Sequence, residues 1–564
     1  MTAKLLRYVL CPAVAIALLT GAASAKEAGY RIRVDRNVPV PMRDGVKLSA
    51  TIYRPDAAGK FPALLLRRYW QIGEDEAQFF APKGYACVLV DSRGRGGSQG
   101  KWELYVNEPQ DGFDTQQWLG QQSWCNGRIG GFGQSYNAFT QLMPAPLASR
   151  YMKCLVPIEG QQTCFGHIYN DGVMQLNMVF TAGLYTSGRT AILPPLPIDS
   201  PHFRRLPLLA VVNEFSDVQY VKDWFKHARF DDYWKSYGIA GKYDRIKTPA
   251  YFISGWYDNL IHENWRNFAG FRKHGGSRDA REGTKILVGP WTHGGAGYQY
   301  DLRLRWYDYW LKGTANGIDK EPPLKIYVMG ADIWRSENEW PLARTRFTDY
   351  FLASSGKANS MRGDGALVAA PQAKDAAPDR FVYDPENPVY TLGGQISTNP
   401  EVGGPQNRRR NQERSDVLVY TSAPLASDLE VTGPVEVKLF AASSAVDTDF
   451  AATLTDVHPD GRAIHICEGI RGVTFRDSLE HPTPIEPGKI YEYSISLWET
   501  SNVFKKGHRL RLEISSSNFP RYARNQNTGL PLGTSAEVKK AHQTIYHDAA
   551  HPSRLILAVI PPSG

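Results

Sequence analysis

Five short apolar runs limit this chain most: PALLLRRYW (62–70), GYACVLVD (84–91), RIGGFG (128–133), TPAYFISGWYD (248–258) and TKILVGPWTH (284–293). They are nearly continuous rather than alternating, so the strands they predict need cover on both faces, as in a parallel sheet wrapped by helices. DGFDTQQWLGQQSW (111–124) has helical character, and VPMRDGVKLSATIYRP (40–55) reads as two strands about Arg43-Asp44-Gly45. Strands alternating with helical segments predict an α/β doubly wound domain that binds ligands at the carboxyl ends of its strands.

At 564 residues the chain exceeds one hydrophobic core, and 42% hydrophobic with 22% charged residues places it among soluble globular proteins. Residues 146–245, including QYVKDWFKHARFDDYWKSYG, carry no strand signal and read as a helical cap inserted between the two parts of the α/β domain, 26–145 and 246–320. From 321 to 564 the texture becomes alternating: LKIYVMG, VLVYTS, VEVKLFAAS, YEYSISLW and HRLRLEISS predict a β-sandwich or jelly roll. GGQISTNPEVGGPQNRRRNQERS (393–415) reads as an extended surface loop.

Residues 1–25 have the form of a signal peptide: Lys4 and Arg7, an apolar run from Tyr8, then Ala23-Ser24-Ala25. The apolar run falls short of a comfortable membrane span, so cleavage after Ala25, export to a periplasmic or secreted location and no stable membrane insertion are expected. The formal charge is +8, and the leader holds two of those cations and no acid, leaving +6 on the mature chain. Arg408-Arg409-Arg410 is the one dense basic cluster, too short to argue for nucleic acid. Five cysteines follow the leader (Cys87, Cys125, Cys154, Cys164 and Cys467), an odd number that leaves at least one free or in an intermolecular bond. No C-x-x-C pair or histidine cluster has zinc spacing, so no metal or cofactor is expected.

The stretch GGFGQSYNAF (130–139) sets one serine among glycines where a strand must turn into a helix. That is what a nucleophile elbow of an α/β hydrolase needs: small flanking residues, so that a hydroxyl stands clear at the top of the sheet. Ser135 is then the nucleophile, and the amide of Tyr136 faces the oxyanion. A serine nucleophile needs a base and the base an orienting acid, in the chain order serine, acid, histidine. Asp258 and His293 each end an apolar run in that order, whereas His262 and His274, the other candidate bases, follow no buried strand.

The run WCNGRIGGFGQSYNAFTQ resembles the hydrolases related to cocaine esterase and X-Pro dipeptidyl-peptidase, a group that includes the α-amino-acid ester hydrolases and glutaryl acylases. DSRGRGGSQG, SGWYDN, GPWTHG, RWYDYWLKGTANGI, RSDVLVYTSAPL and VDTDFAATLTDVHPDG share the resemblance, which covers nearly all of the mature chain. It implies an α/β-hydrolase domain, a helical cap and a carboxyl-terminal jelly roll. It places nucleophile, acid and base on Ser135, Asp258 and His293, and assigns Tyr69 as a second oxyanion donor. The chain departs from the family where G-x-S-Y-x-G ends in Ala138. It also carries Leu260 and Ile261 where the α-amino-acid ester hydrolases have acids that bind an ammonium group; Asp171 is a remaining carboxylate, or simply a turn former.

DSRGRGGSQG lacks the ending of a phosphate loop, and Asp91 with Arg93 is expected as a structural ion pair. Trp70, Trp256, Tyr257 and Trp291 border the expected triad, either as an aromatic pocket for substrate or as core packing. The expected activity is an exported serine hydrolase of small esters, amides or short peptides. An X-Pro dipeptidyl-peptidase and a non-catalytic secreted binder using the jelly roll are the alternatives, and homo-oligomer formation is left open.

Overall fold

The computed structural model describes residues 29–562 apart from 187–194, 216–217, 298, 374, 397–398 and 400. The expected leader and its cleavage point lie outside the described residues. The first sheet opens with an antiparallel hairpin, β1 (Ile32–Pro41) and β2 (Lys47–Pro55). It continues with β3 (Phe61–Arg68), β4 (Ala86–Asp91), β5 (Cys125–Gln134) and β6 (Met152–Ile158). A two-stranded ribbon, β7 (Tyr169–Asn170) and β8 (Val173–Met174), stands apart from it. β9 (Tyr251–Tyr257), β10 (Lys285–Thr292), β11 (Leu324–Val328) and β12 (Ile333–Glu337) complete ten strands in the order β1-β2-β4-β3-β5-β6-β9-β10-β11-β12. From β4 to β11 every neighbouring pair is parallel.

The continuous apolar runs are explained by cover on both faces. In β3 and β4, Leu65, Val88 and Val90 enter one core with the cap, while Leu64, Leu66, Cys87 and Leu89 enter the other. The first core holds Leu119 of α2 (Glu108–Gly120), Phe139 of α3 (Tyr136–Leu142) and Trp265 of α9 (Ile261–His274). The second holds Phe80 of α1 (Glu74–Phe80) and Trp306 of α11 (Tyr300–Tyr307). Among the described residues no helix is long and apolar enough to cross a membrane.

Two expected boundaries move. β6 falls within 146–245, the segment read as cap, because Lys153 and Pro157 interrupt its apolar run. Yet β6 is central, pairing with β5 on one side and β9 on the other, and every residue but Lys153 is buried. The cap therefore begins after β6 and comprises α4 (Cys164–Ile168), α5 (Leu176–Thr186), α6 (Leu208–Phe215), α7 (Gln219–Lys226) and α8 (Asp232–Lys235). At the other end LKIYV alternates like a sandwich strand, but as β11 it lies parallel to β10, so the hydrolase sheet runs on through β12.

Eleven strands, β13 (Arg346–Ala353) to β23 (Arg554–Ile560), form the jelly roll around a core of their own. The segment 393–415 is docked against it rather than laid over the surface. Gln395, Arg408 and Gln412 are buried, and Arg408 pairs with Glu513 at 2.8 Å.

Ala138, where the family has glycine, is accommodated by Gly160, at which a Cβ would stand 2.9 Å from the Ala138 methyl. Gly160→Ala should destabilise by about 1–3 kcal/mol through overpacking, and Ala138→Gly by about 1 kcal/mol through helix propensity. In denaturant titrations the double variant should cost at least about 1 kcal/mol less than the sum of the two. Additive costs would refute the proposed pairing of these positions.

Candidate active site

β5 delivers Ser135 to the carboxyl edge of the sheet with its backbone at φ 58°, ψ −125°, a positive φ that is uncommon for a residue with a side chain. The turn is tight enough to fix its neighbours: at Gly133 (φ 140°) a Cβ would lie 2.7 Å from the Asn137 Cβ and 2.8 Å from the Asn137 carbonyl oxygen. The Ser135 amide donates to the carbonyl of Ile158, the last residue of β6 (2.8 Å), while its own carbonyl accepts from Ala138 N (2.9 Å) at the start of α3.

Asp258 follows β9 and His293 follows β10, so both arrive at the same edge. His293 Nε2 lies 3.0 Å from Ser135 Oγ, and His293 Nδ1 lies 2.9 Å from Asp258 Oδ1. With Nδ1–H donating to the carboxylate, Nε2 is free to accept the serine proton. Asp258 is fully buried and is fixed by two further donors, Ser254 Oγ (2.8 Å) and Leu260 N (3.1 Å). His262, by contrast, is stacked on Trp498 with ring centroids 4.1 Å apart, and His274 is exposed at the end of α9.

A fourth ionisable group stands in the site. Glu159, fully buried just after β6, brings Oε2 to 3.5 Å from His293 Nδ1 and accepts from Gly294 N at 2.8 Å. Burial pushes its carboxyl well above the ordinary range, the nearby Asp258 charge adds to the rise, and His293 works against it. For His293 burial disfavours charge, but the Glu159 and Asp258 carboxylates outweigh it and hold the imidazole at about 9. Glu159 ends an apolar run, the same signal that marks Asp258 and His293, but it is hidden in sequence because β6 reads as cap.

Tyr69 follows β3, and its ring meets that of Tyr136 edge to face at 5.1 Å. The loop carrying it is clamped by Arg68, which donates to Asp91 (2.9 Å), the Ile72 carbonyl (2.6 Å) and Gln71 (2.8 Å), and by Arg95, which donates to the Tyr69 carbonyl (2.8 Å). Tyr136 begins α3, where an amide has no intrahelical acceptor, and its phenol donates to buried Glu108 at 2.7 Å.

The profile of X-Pro dipeptidyl-peptidase (S15 family) matches residues 44–295, and that of the X-Pro dipeptidyl-peptidase C-terminal non-catalytic domain matches 316–556. Cocaine esterase from Rhodococcus sp. (strain MB1 Bresler) is 34% identical, over 93% of this chain and 98% of that protein. The chain belongs to this family of serine hydrolases. It acts on ester or amide bonds. Solved structures share the fold at lower identity. An α-amino acid ester hydrolase superposes with a TM-score of 0.81 at 23% identity, covering 96% of this chain and 100% of that one. A CocE/NonD family hydrolase from Staphylococcus aureus superposes with a TM-score of 0.70 at 18% identity, covering 94% of each chain.

Within this family fold the four expected pocket aromatics separate. Trp70 stays beside the site, stacked on Tyr69 at 5.7 Å, and Trp102, unforeseen in the sequence, stacks on Tyr69 at 6.1 Å. Trp256 is core: its Nε1 donates to the Tyr327 carbonyl (2.7 Å) and its ring stacks on Trp265 and Trp340. The Tyr257 hydroxyl donates to the His465 carbonyl of the jelly roll at 3.1 Å. Trp291 packs with the second core and against Trp334. The reason is positional: these three lie within strands, so they point to sheet faces rather than over the edge that carries Ser135.

Asp91 and Arg93 form ion pairs with other partners, Asp91 with Arg68 (2.9 Å) and Arg93 with Asp111 (2.7 Å). Asp171 occupies the β7–β8 turn at φ 45°, 3.6 Å from Arg471. The five described cysteines are all free and buried. Two groups bring three metal-ligating atoms together among the described residues. One is Glu159, Asp258 and His293. In the other, Asp456, His458 and His508, the Arg462 guanidinium faces His458 Nδ1 at 3.4 Å, which sets a cation against a metal there.

Because the base must be unprotonated to accept the serine proton, kcat/KM for an ester should rise with pH through an apparent value of about 9. A pH–rate profile checks this, and a limb at the ordinary histidine value would remove the two-carboxylate electrostatics.

Proposed function

We propose that Ser135 attacks the acyl carbon, His293 shuttles the proton, Asp258 orients the imidazole, and the Tyr136 amide with the Tyr69 hydroxyl receives the oxyanion. The observation that carries this is the hydrogen-bond chain Ser135–His293–Asp258, at 3.0 and 2.9 Å, on the ends of β5, β10 and β9. Attack forms a tetrahedral intermediate as the Ser135 proton passes to Nε2. Collapse transfers that proton to the leaving group and leaves an acyl-Ser135. Water, deprotonated by the same nitrogen, then releases the acid and regenerates the serine.

The preferred substrate is a small ester, and the enzyme is exported. Esterase preference is supported by the relative that is 34% identical over 93% of this chain, and by Leu260 and Ile261, both fully buried and apolar, in place of an ammonium-binding acid cluster. A Bacillus cereus protein with a provisional Xaa-Pro dipeptidyl-peptidase name is 23% identical, over 91% of this chain and 85% of that protein. Export is supported by the composition of residues 1–25.

A fluorophosphonate probe should label the mature protein at Ser135, and Ser135→Ala should abolish labelling and lower kcat by about 10⁶-fold. Ester, acylamide and X-Pro chromogenic substrates, compared by kcat/KM, should rank the ester first; an X-Pro substrate in first place would replace the esterase reading. Tyr69→Phe should lower kcat by about 10²-fold with little change in KM, the signature of a donor used in the transition state. An equal loss in KM with kcat intact would assign Tyr69 to binding instead.

A further inference from the structure

Glu159 is more than a neighbour of the triad. Its backbone sits at φ 52°, a left-handed conformation uncommon for a residue with a side chain, and its amide donates to the Ile253 carbonyl of β9 at 2.7 Å. Oε2 gathers three groups: Gln134 Nε2 at 2.5 Å, Gly294 N at 2.8 Å and His293 Nδ1 at 3.5 Å. Gln134 precedes the nucleophile and Gly294 follows the base, so one oxygen ties together both reacting residues through their chain neighbours. Oε1, equally buried, has no hydrogen-bond partner among the described residues. A left-handed backbone and a half-satisfied buried carboxylate are both unfavourable, and such features persist where they serve a site. A neutral side chain would make the same ties to Gln134 and Gly294 without burying a charge, so the charge itself calls for a role.

We propose that Glu159 is a positioning residue of the hydrolysis: its carboxylate fixes the relative placement of Ser135 and His293 and, beside Asp258, stabilises the imidazolium formed each time the serine gives up its proton. This rests on the triad reading above. The other ionisable groups around the imidazole are accounted for. Asp258 reaches Nδ1 from the end of β9. From α4, His167 is hydrogen-bonded to the Tyr105 hydroxyl at 2.9 Å and kept neutral by burial, at about 3. From α9, Glu263 is engaged by the amides of Gln162 and Thr163 and by Arg266.

The sign follows from charge. A carboxylate beside the imidazole favours its protonated form, so removing that charge lets His293 lose its proton at lower pH. The test is the second-order rate of fluorophosphonate labelling of Ser135 against pH, measured in the wild-type mature protein, Glu159→Gln and Glu159→Asp. Gln keeps an oxygen acceptor for Gln134 and Gly294 but no charge; its acid limb should move down by about one pH unit, with a lower alkaline plateau. Asp keeps the charge and draws it back by one methylene, and its limb should lie between the other two. Labelling that merely slows in Glu159→Gln, with the limb where the wild type has it, overturns the role of Glu159 alone. A folded wild type that does not label overturns the triad reading and this inference with it.

Discussion

The site depends on a backbone conformation that a serine adopts only under compulsion. Holding Ser135 at φ 58° costs on the order of 1–3 kcal/mol, and the surrounding chain supplies the compulsion from two sides. Gly133 lets α3 fold back to within contact of β5, and the Ile158 carbonyl captures the Ser135 amide. β6 therefore has a double duty. Its last carbonyl secures the elbow, and the next residue, Glu159, reaches the base. A strand whose apolar run is broken twice in the sequence holds Ser135 in place from behind.

The Asp258 side of the site is anchored on the second domain. Asp258 hangs from the end of β9, and the two residues before it are anchored elsewhere: Trp256 to the Tyr327 carbonyl of β11 and Tyr257 to the His465 carbonyl of the jelly roll. Backbone bonds between Met329 and β20 (Tyr491–Phe504), at Ser501 and Val503, continue the contact. Close by, Arg521 pairs with Glu468, and Asn518 donates to Glu468 at 2.8 Å, all of them buried. Buried ion pairs contribute little net stability, but losing one partner costs about 3–5 kcal/mol, so this pair, whose partners both lie in the jelly roll, holds that domain's own strands in place beside His465. The jelly roll thus reaches the Ser135–His293–Asp258 chain through the position of a strand end.

Much of this was legible in the sequence, for reasons of periodicity. Continuous apolar runs identify β3, β4, β5, β9 and β10 because burial on both faces leaves no polar face to write. The same runs locate Asp258 and His293, since the polar residue that ends a parallel strand sits at the ligand-binding edge. β6 escaped because Pro157 and Lys153 break its run, and Glu159 escaped with it. β11 reads as a sandwich strand because a strand near an edge alternates like one, yet it lies beside β10. The aromatic residues Trp256, Tyr257 and Trp291 are near the triad in sequence, but strand geometry turns each away from it; Trp102, far from any triad residue in sequence, is brought in by the loop that Arg95 holds.

The two carboxylates at His293 are not equivalent, and the difference lies in their donors. Asp258 accepts from Ser254, the Leu260 amide and His293, whereas one oxygen of Glu159 accepts from nothing among the described residues. Burial pushes the Glu159 carboxyl up, and its few hydrogen bonds do little to offset that, so a proton is easily placed on it. A proton there and a proton on His293 answer to the same electrostatic field: each makes the other less favourable. A limb in the rate profile therefore belongs to the Glu159–Asp258–His293 cluster rather than to the imidazole alone. Since the same Glu159 oxygen also ties Gln134 to Gly294, the geometry of this site and its charge are set by one residue and move together.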